Sequence, residues 1–416
     1  MRRPPAQRWS RWLGIGAASG ILLALVPVVQ GSITLEDPLG RFQRQGSRAA
    51  EPPSLEGLDL TRLNLRPRRV TTRLAEGNTA ELTLDPQIQR AATNQLERYR
   101  VPEGAVVVMQ VQTGDLLAYA SFQANGERED LNVRAEAPSA SVFKVVTGAA
   151  LVEHGGLKAT TKQCYHGGRS RITANELQDD PARDRWCATL ASAMGRSLNV
   201  VFGRLARKHI TPEELNATAG AFGYGAPIPF EVANQAPLIE MPEDPLEFAR
   251  TSAGFWHTSL SPLAAVLIAQ TVANAGVTFR PRIVRSIHRG RKQIWKAPGE
   301  PHVIRRAIQR STASELTRMM VETVDNGSAH KSFHDRRGTP YLPNISVAGK
   351  TGTLTREKRN RYYTWFVGFA PADKPEIALA ALVVNTPVWR IKAPLVAANV
   401  LRAYFAKQGR PGVSAP

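Results

Sequence analysis

A chain of 416 residues with 43% hydrophobic content can bury a substantial core, as one large domain or two ordinary ones, which excludes a chain too polar to fold. Lys and Arg number 54 against 35 Asp and Glu, a net charge of +19, and no single dense basic block carries it. Such a charge suits a polyanionic partner, and the first segment of the chain decides which kind.

Residues 1–11, MRRPPAQRWSR, hold Arg2, Arg3, Arg8 and Arg11, and residues 12–30 follow as nineteen positions without a charge. That stretch is long enough to cross a bilayer as a slightly short helix, a transmembrane signal-anchor. The arginines keep residues 1–11 in the cytoplasm, so the chain from about Gly31 lies outside the cytoplasmic (inner) membrane, in the periplasm or its extracytoplasmic equivalent. A cleaved signal peptide is the competing reading, and VPVVQGS lacks a clear small-x-small cleavage site. Export argues against nucleic acid. The polyanions left are an anionic membrane surface and wall polymers bearing carboxylates or phosphates.

Residues 31–78 are rich in Pro, Arg, Gly and polar side chains with little apolar periodicity, and read as a linker or stalk. The folded domain is expected over 79–408. In LTLDPQIQRAATNQLERYR, Asp85 is the N-cap, Pro86 the first helical residue, and Ile88, Ala91, Ala92 and Leu96 share one face. Next, GAVVVMQVQTGDLLAYAS reads as two strands joined at Thr113-Gly114-Asp115. A mostly helical block runs from Pro138 to about Gly276. Three apolar strands return in ISVAGKTGTL, YYTWFVGFAP and EIALAALVVN, and a last helix spans Pro394 to Ala406. Strands at both ends of the domain around a helical block predict one antiparallel sheet with an inserted helical layer. Residues 409–416 read as a disordered tail.

The stretch PSASVFKVVTGAALVEHGG raises the chemical question, because it puts Lys144 among Val142, Phe143, Val145, Val146, Ala149, Ala150 and Val152. These cover more than half of a helix surface, so the helix is central and the lysine is buried with it. Ser141 lies one turn earlier, at the end of the helix where free backbone N–H groups gather. A serine hydroxyl becomes a nucleophile when a base takes its proton, and an amine serves if burial or a nearby cation has lowered its pKa. A capping serine with a snorkelling lysine has the same spacing. Ser328 and Lys331 repeat it in a polar turn, and that second match reads as accidental.

Two other short stretches add weight. Ser197-Leu198-Asn199 lies in the helical block, and Lys350-Thr351-Gly352-Thr353 lies on the first of the late strands. In this order the three match the triad of penicillin-binding proteins and serine β-lactamases. From about Leu82 to Phe405 the chain resembles the penicillin-binding transpeptidase family, and LTLDPQIQRAA, VVVMQVQTGDLLAYAS, TVANAGVTFRPRIV, VDNG and WFVGFAP look like its landmarks in order.

The resemblance implies an α/β fold of the β-lactamase/transpeptidase type: an antiparallel sheet flanked by helices, with an all-helical lobe. It implies a D,D-transpeptidase whose Ser141 attacks the D-alanyl-D-alanine end of a peptidoglycan stem peptide, and which β-lactams acylate. Lys144 would be the base and Lys350 the nearby cation. Ser197 would relay the proton, Asn199 would position the substrate amide, and Thr351 and Thr353 would hold the carboxylate. The backbone N–H groups of Ser141 and Thr353 would form the oxyanion hole. Gly352 would leave room for substrate. No cofactor is implied. The short stretch before Leu82 leaves no room for a glycan-polymerising domain or a large N-terminal module, which suggests a minimal anchored enzyme.

A D,D-carboxypeptidase, a β-lactamase and a non-enzymatic penicillin-binding sensor or scaffold are the rival functions. Glu176 precedes Ser197, whereas the glutamate of the commonest β-lactamase class follows the corresponding motif. Cys164 and Cys187, the only cysteines, are expected to pair in an oxidising compartment, two free thiols being the alternative. Trp365, Phe366 and Phe369 read as core. His166 and His257 lack metal-ligand spacing, so no metal is expected. Arg356 to Arg361 reads as a solvated loop, with contact to acidic substrate as the alternative.

Overall fold

A computed structural model describes residues 53–168, 171–356 and 360–416. The expected anchor at 12–30 lies outside the described residues, and among these no helix is long and apolar enough to cross a membrane.

From Pro53 the chain packs almost at once. Strands β1 (Asn64–Leu65), β2 (Val70–Arg73) and β3 (Asn78–Leu82) lead to helix α1 (Pro86–Arg98). The linker reading therefore fails over its second half. Leu60, Val70 and Leu74 are buried in the main core, too widely spaced in sequence to show a period. Helix α1 starts where its cap predicts: the Asp85 carboxylate accepts from the N–H groups of Gln87 and Ile88 at 2.9 and 3.1 Å.

The hairpin β4 (Glu103–Gln110) and β5 (Leu116–Gln123) turns at Gly114, whose φ of +80° suits glycine. Short strand β6 (Ala137–Pro138) enters a 3₁₀ turn, Ala140–Phe143, that runs into helix α2 (Lys144–Glu153). The helical block is broken by β7 (Lys162–Tyr165) and β8 (Trp186–Thr189), then continues as α3 (Leu190–Arg196), α4 (Asn199–His209), α5 (Pro212–Ala221) and α6 (Pro245–Ser252). Strand β9 (Ser259–Leu260) pairs with β6 ahead of helix α7 (Pro262–Ala273), which is buried from Pro262 to Val272.

Strands β10 (Val277–Phe279), β11 (Val284–Arg289), β12 (Lys292–Lys296) and β13 (Val303–Arg306) follow, then α8 (Arg310–Asp325) and the single turn α9 (His330–Phe333). The chain closes with β14 (Ala348–Arg356), β15 (Arg361–Ala370), β16 (Ile377–Asn385) and α10 (Ala393–Lys407).

The principal sheet has the order β14-β15-β16-β4-β5 and is antiparallel throughout, so both ends of the domain build it as expected. Every residue of β16 is buried, because its two faces serve two cores. One core lies against α2, α7 and α8, and the other against α1 and α10. A second sheet, β1-β2-β3-β11-β12, joins the segment read as linker to strands some 200 residues later, as in the pairing of Asn78 with Arg289. The tail also differs from its disordered reading: Val413 packs against the outer core and its N–H donates to the Arg410 carbonyl at 3.2 Å.

Candidate active site

The nucleophile candidate is set by backbone geometry on both sides. Ala140 has a φ of +48°, which turns the chain out of β6 so that Ser141 enters the 3₁₀ turn and Lys144 starts α2. Gly254, at φ +86°, lies against this bend, and a side chain there would overlap the Ala140 carbonyl oxygen. Trp365 donates its indole N–H to the Pro138 carbonyl at 2.9 Å, which ties the bend to the sheet.

Lys144 is fully buried, and its Nζ lies 2.9 Å from Ser141 Oγ and 2.7 Å from Asn199 Oδ1. A third contact goes to the Ala253 carbonyl oxygen. Among the described residues no carboxylate pairs with the amine. Burial, and secondarily the charge of Lys350, hold its pKa well below the ordinary lysine value.

Lys350, on β14, is also fully buried and lowered by burial to about 7. Its Nζ donates to Ser197 Oγ at 3.1 Å and to the Thr351 carbonyl at 2.8 Å. Ser197 occupies the break between α3 and α4 in a left-handed conformation (φ 57°, ψ 45°), and Asn199 opens α4. One turn thus delivers Ser197 to Lys350 and Asn199 to Lys144. Of the seven side chains foreseen for the site, Ser141, Lys144 and Asn199 form one contacting group and Ser197 and Lys350 another, the latter reaching Thr351 through its backbone carbonyl, while the Thr351 side chain faces Ser328 and Thr353 is exposed on β14. Gly352 has a structural reason besides the expected room for substrate: a side chain there would press on Ala140 and Trp365, so glycine lets the strand approach the serine turn.

Two contributors went unseen in the sequence. The Ala253 carbonyl leaves no side-chain signal. Ser328, read with Lys331 as an accidental motif, places its Oγ 2.5 Å from Thr351 Oγ1, while Lys331 is exposed. Its position beside the VDNG turn is the one clue available.

The remaining expectations sort as follows. Cys164 and Cys187 form a disulfide across the β7–β8 pair. Trp365, Phe366 and Phe369 are buried. His166 meets Asp184 at 2.5 Å and His257 meets Glu247 at 3.4 Å, and no group of three or more metal-ligating side chains is found among the described residues. Glu176 accepts from the Thr173 N–H at 2.6 Å, a local turn contact. The expected solvated loop is narrower than 356–361: Arg356 and Arg361 are facing residues at the ends of β14 and β15 and Arg361 binds Glu103 at 2.6 Å, Asn360 is an exposed turn residue, and 357–359 lie outside the described residues.

Residues 104–405 match the penicillin binding protein transpeptidase domain. The chain is similar to the peptidoglycan D,D-transpeptidase PbpA of Mycobacterium tuberculosis, with 28% identity over 387 residues, 83% of this chain and 75% of that protein. Among solved structures it resembles the D,D-transpeptidase domain of a peptidoglycan glycosyltransferase from Eggerthella lenta, with 26% identity, a TM-score of 0.65, and 79% and 83% of the two chains covered. It also resembles the imipenem acyl-enzyme complex of penicillin-binding protein A from M. tuberculosis, with 25% identity, a TM-score of 0.66, and 78% and 79% covered. With sheet, helical lobe and motif contacts all in accord, the chain belongs to the penicillin-binding protein transpeptidase family.

Proposed function

We propose that this protein is a serine D,D-transpeptidase that cross-links peptidoglycan stem peptides through an acyl-enzyme on Ser141, and that β-lactams acylate the same residue. The observation that carries this is the set of three contacts of Lys144. A neutral amine has two N–H donors and one lone pair. Asn199 Oδ1 and the Ala253 carbonyl can only accept, so they take the two donors and leave the lone pair for the Ser141 hydroxyl. The lowered pKa keeps the amine in that form.

Ser141 Oγ bonds to the carbonyl carbon of the penultimate D-alanine as its proton passes to Lys144. Lys144 passes that proton to Ser197, which is held by Lys350 and hands its own to the leaving amine as the C–N bond to the terminal D-alanine breaks, so Lys144 is neutral again. An amine of a second stem peptide attacks the ester and gives a proton to Lys144, which passes it to Ser141 Oγ as the C–O bond breaks. Water in place of that amine gives the carboxypeptidase reaction. Backbone N–H groups of Ser141 and Thr353 serve as the oxyanion hole, and the hydroxyls of Thr351 and Thr353 bind the substrate carboxylate. The name of the M. tuberculosis relative and the imipenem and ceftriaxone acyl-enzymes of its penicillin-binding protein A support this reading. The work site is extracytoplasmic, where stem peptides are found, in keeping with the disulfide and with a basic chain held near an anionic membrane or wall surface.

Intact-mass spectrometry with benzylpenicillin tests the proposal. A stable one-drug adduct is expected on the wild type and absent from Ser141→Ala. Drug consumed without an adduct would point to a β-lactamase, and neither outcome to a non-catalytic scaffold. With a stem pentapeptide and an acceptor amine, cross-linked product separates transpeptidation from simple D-alanine release.

A further inference from the structure

Ser328 occupies a junction that the mechanism above does not use. Its backbone N–H donates to the Gly195 carbonyl at 2.9 Å, two residues before Ser197. Its side chain lies 2.5 Å from Thr351 Oγ1, on the strand that carries Lys350. One residue therefore refers both the Ser197 turn and the Lys350 strand to the end of α8. The approach is close because two glycines permit it: a side chain at Gly327 would overlap the Gly195 carbonyl oxygen, and one at Gly195 would press on the backbone of Glu322. Ser328 is exposed while Thr351 is buried, so the pair runs from the solvent into the wall of the site.

We infer that Ser328 and Thr351 act as one carboxylate-binding unit, and that Ser328 is a specificity-determining residue for acyl donors ending in a carboxylate. The inference rests on the proposed acyl-transfer reading. Its logic is proton accounting. Two hydroxyls at 2.5 Å use one proton between them, which leaves the other for a third oxygen. Lys350 Nζ reaches the main-chain carbonyl of Thr351 at 2.8 Å, so the same strand carries an amine into the site, and the free proton suits an anionic acceptor. Thr353, two residues along β14, adds an exposed hydroxyl on the same side of the strand. Without Ser328, the Thr351 hydroxyl loses the partner that fixes its rotation.

A double-mutant cycle tests this through the second-order rate of Ser141 acylation by benzylpenicillin in wild type, Ser328→Ala, Thr351→Ala and the double variant, with Ser328→Thr as the conservative control. The expected result is about a tenfold loss in Ser328→Ala, less than a twofold further loss when the same change is made in Thr351→Ala, and recovery in Ser328→Thr. Equal losses in both backgrounds would mean that Ser328 only supports the fold, and no loss would mean that it does nothing; either overturns the inference. Melting temperatures identify a variant that has failed to fold, and the threonine variant then decides alone: near-wild-type acylation supports the inference and a tenfold loss overturns it. A wild type that is not acylated would overturn the acyl-transfer reading instead, so the two failures are distinct.

Discussion

The indole N–H of Trp365 donates to the carbonyl oxygen of Pro138 at 2.9 Å, and both residues are buried. This bond joins β15 to the segment three residues ahead of Ser141, so the sheet, and not the helical lobe alone, sets the position of the nucleophile. Trp365→Phe keeps most of the ring volume and leaves the carbonyl without a partner. A loss of about 1–3 kcal/mol in urea unfolding is expected, together with slower acylation of Ser141 under conditions where the variant is fully folded.

The acylation rate should follow the neutral fraction of Lys144. Because burial and Lys350 lower its pKa, the acid limb of the pH–rate profile lies well below the ordinary lysine value. Lys350→Met removes the neighbouring cation, so the Lys144 pKa rises and the acid limb moves to higher pH. Lys144→Arg, which stays charged, should lose acylation by about a factor of a thousand or more. Stopped-flow acylation across pH checks both variants, and an unmoved limb in Lys350→Met would sink the like-charge argument.

Lys350 also makes stability depend on pH. Its pKa is about 7 when folded and 10.5 in an ordinary setting, so between these values the unfolded chain binds more protons. Stability therefore rises with pH across that window, at most by about 1.4 kcal/mol per pH unit. Below about 7 the lysine is charged in both states and its contribution is constant. Denaturant titrations between pH 7 and 10 should show a shallower slope in Lys350→Met than in wild type.

A second buried cation holds the disulfide region together. Arg204, on α4, is fully buried and donates to Asp184 at 2.7 Å, to the Cys164 carbonyl at 2.9 Å and to the Glu176 carbonyl at 2.6 Å. Arg204→Met leaves the half-buried Asp184 with only the His166 side chain beside it, which should cost about 3 kcal/mol. The Arg204 guanidinium is the main cause holding the Asp184 carboxyl well below its usual range. Its contribution is thus complete above the ordinary carboxylate value of 3.8 and is lost as pH falls through the folded value. Acid unfolding should be steeper in wild type than in Arg204→Met, and Arg204→Met with Asp184→Asn should recover part of the loss.

What the sequence determined by itself were features whose causes are local. The Asp85 cap and Pro86 set the start of α1, the Thr113-Gly114-Asp115 turn sets the hairpin, and the apolar run after Ser141 makes a helix that must bury Lys144. Three short motifs in order were sufficient to name the residues that meet. The tertiary structure decided everything that depends on closure between distant segments. Leu60, Val70 and Leu74 carry no period of their own and become core only because β11 returns beside β3. Ser328 is an ordinary turn serine until α8 ends against Gly195 and Thr351. The Ala253 carbonyl, which completes the coordination of Lys144, belongs to the backbone and leaves no trace in residue identity. Local propensity and spacing act over one turn or one strand, whereas a backbone acceptor or a hydroxyl gains its role only when folding removes the water between it and a partner remote in the chain.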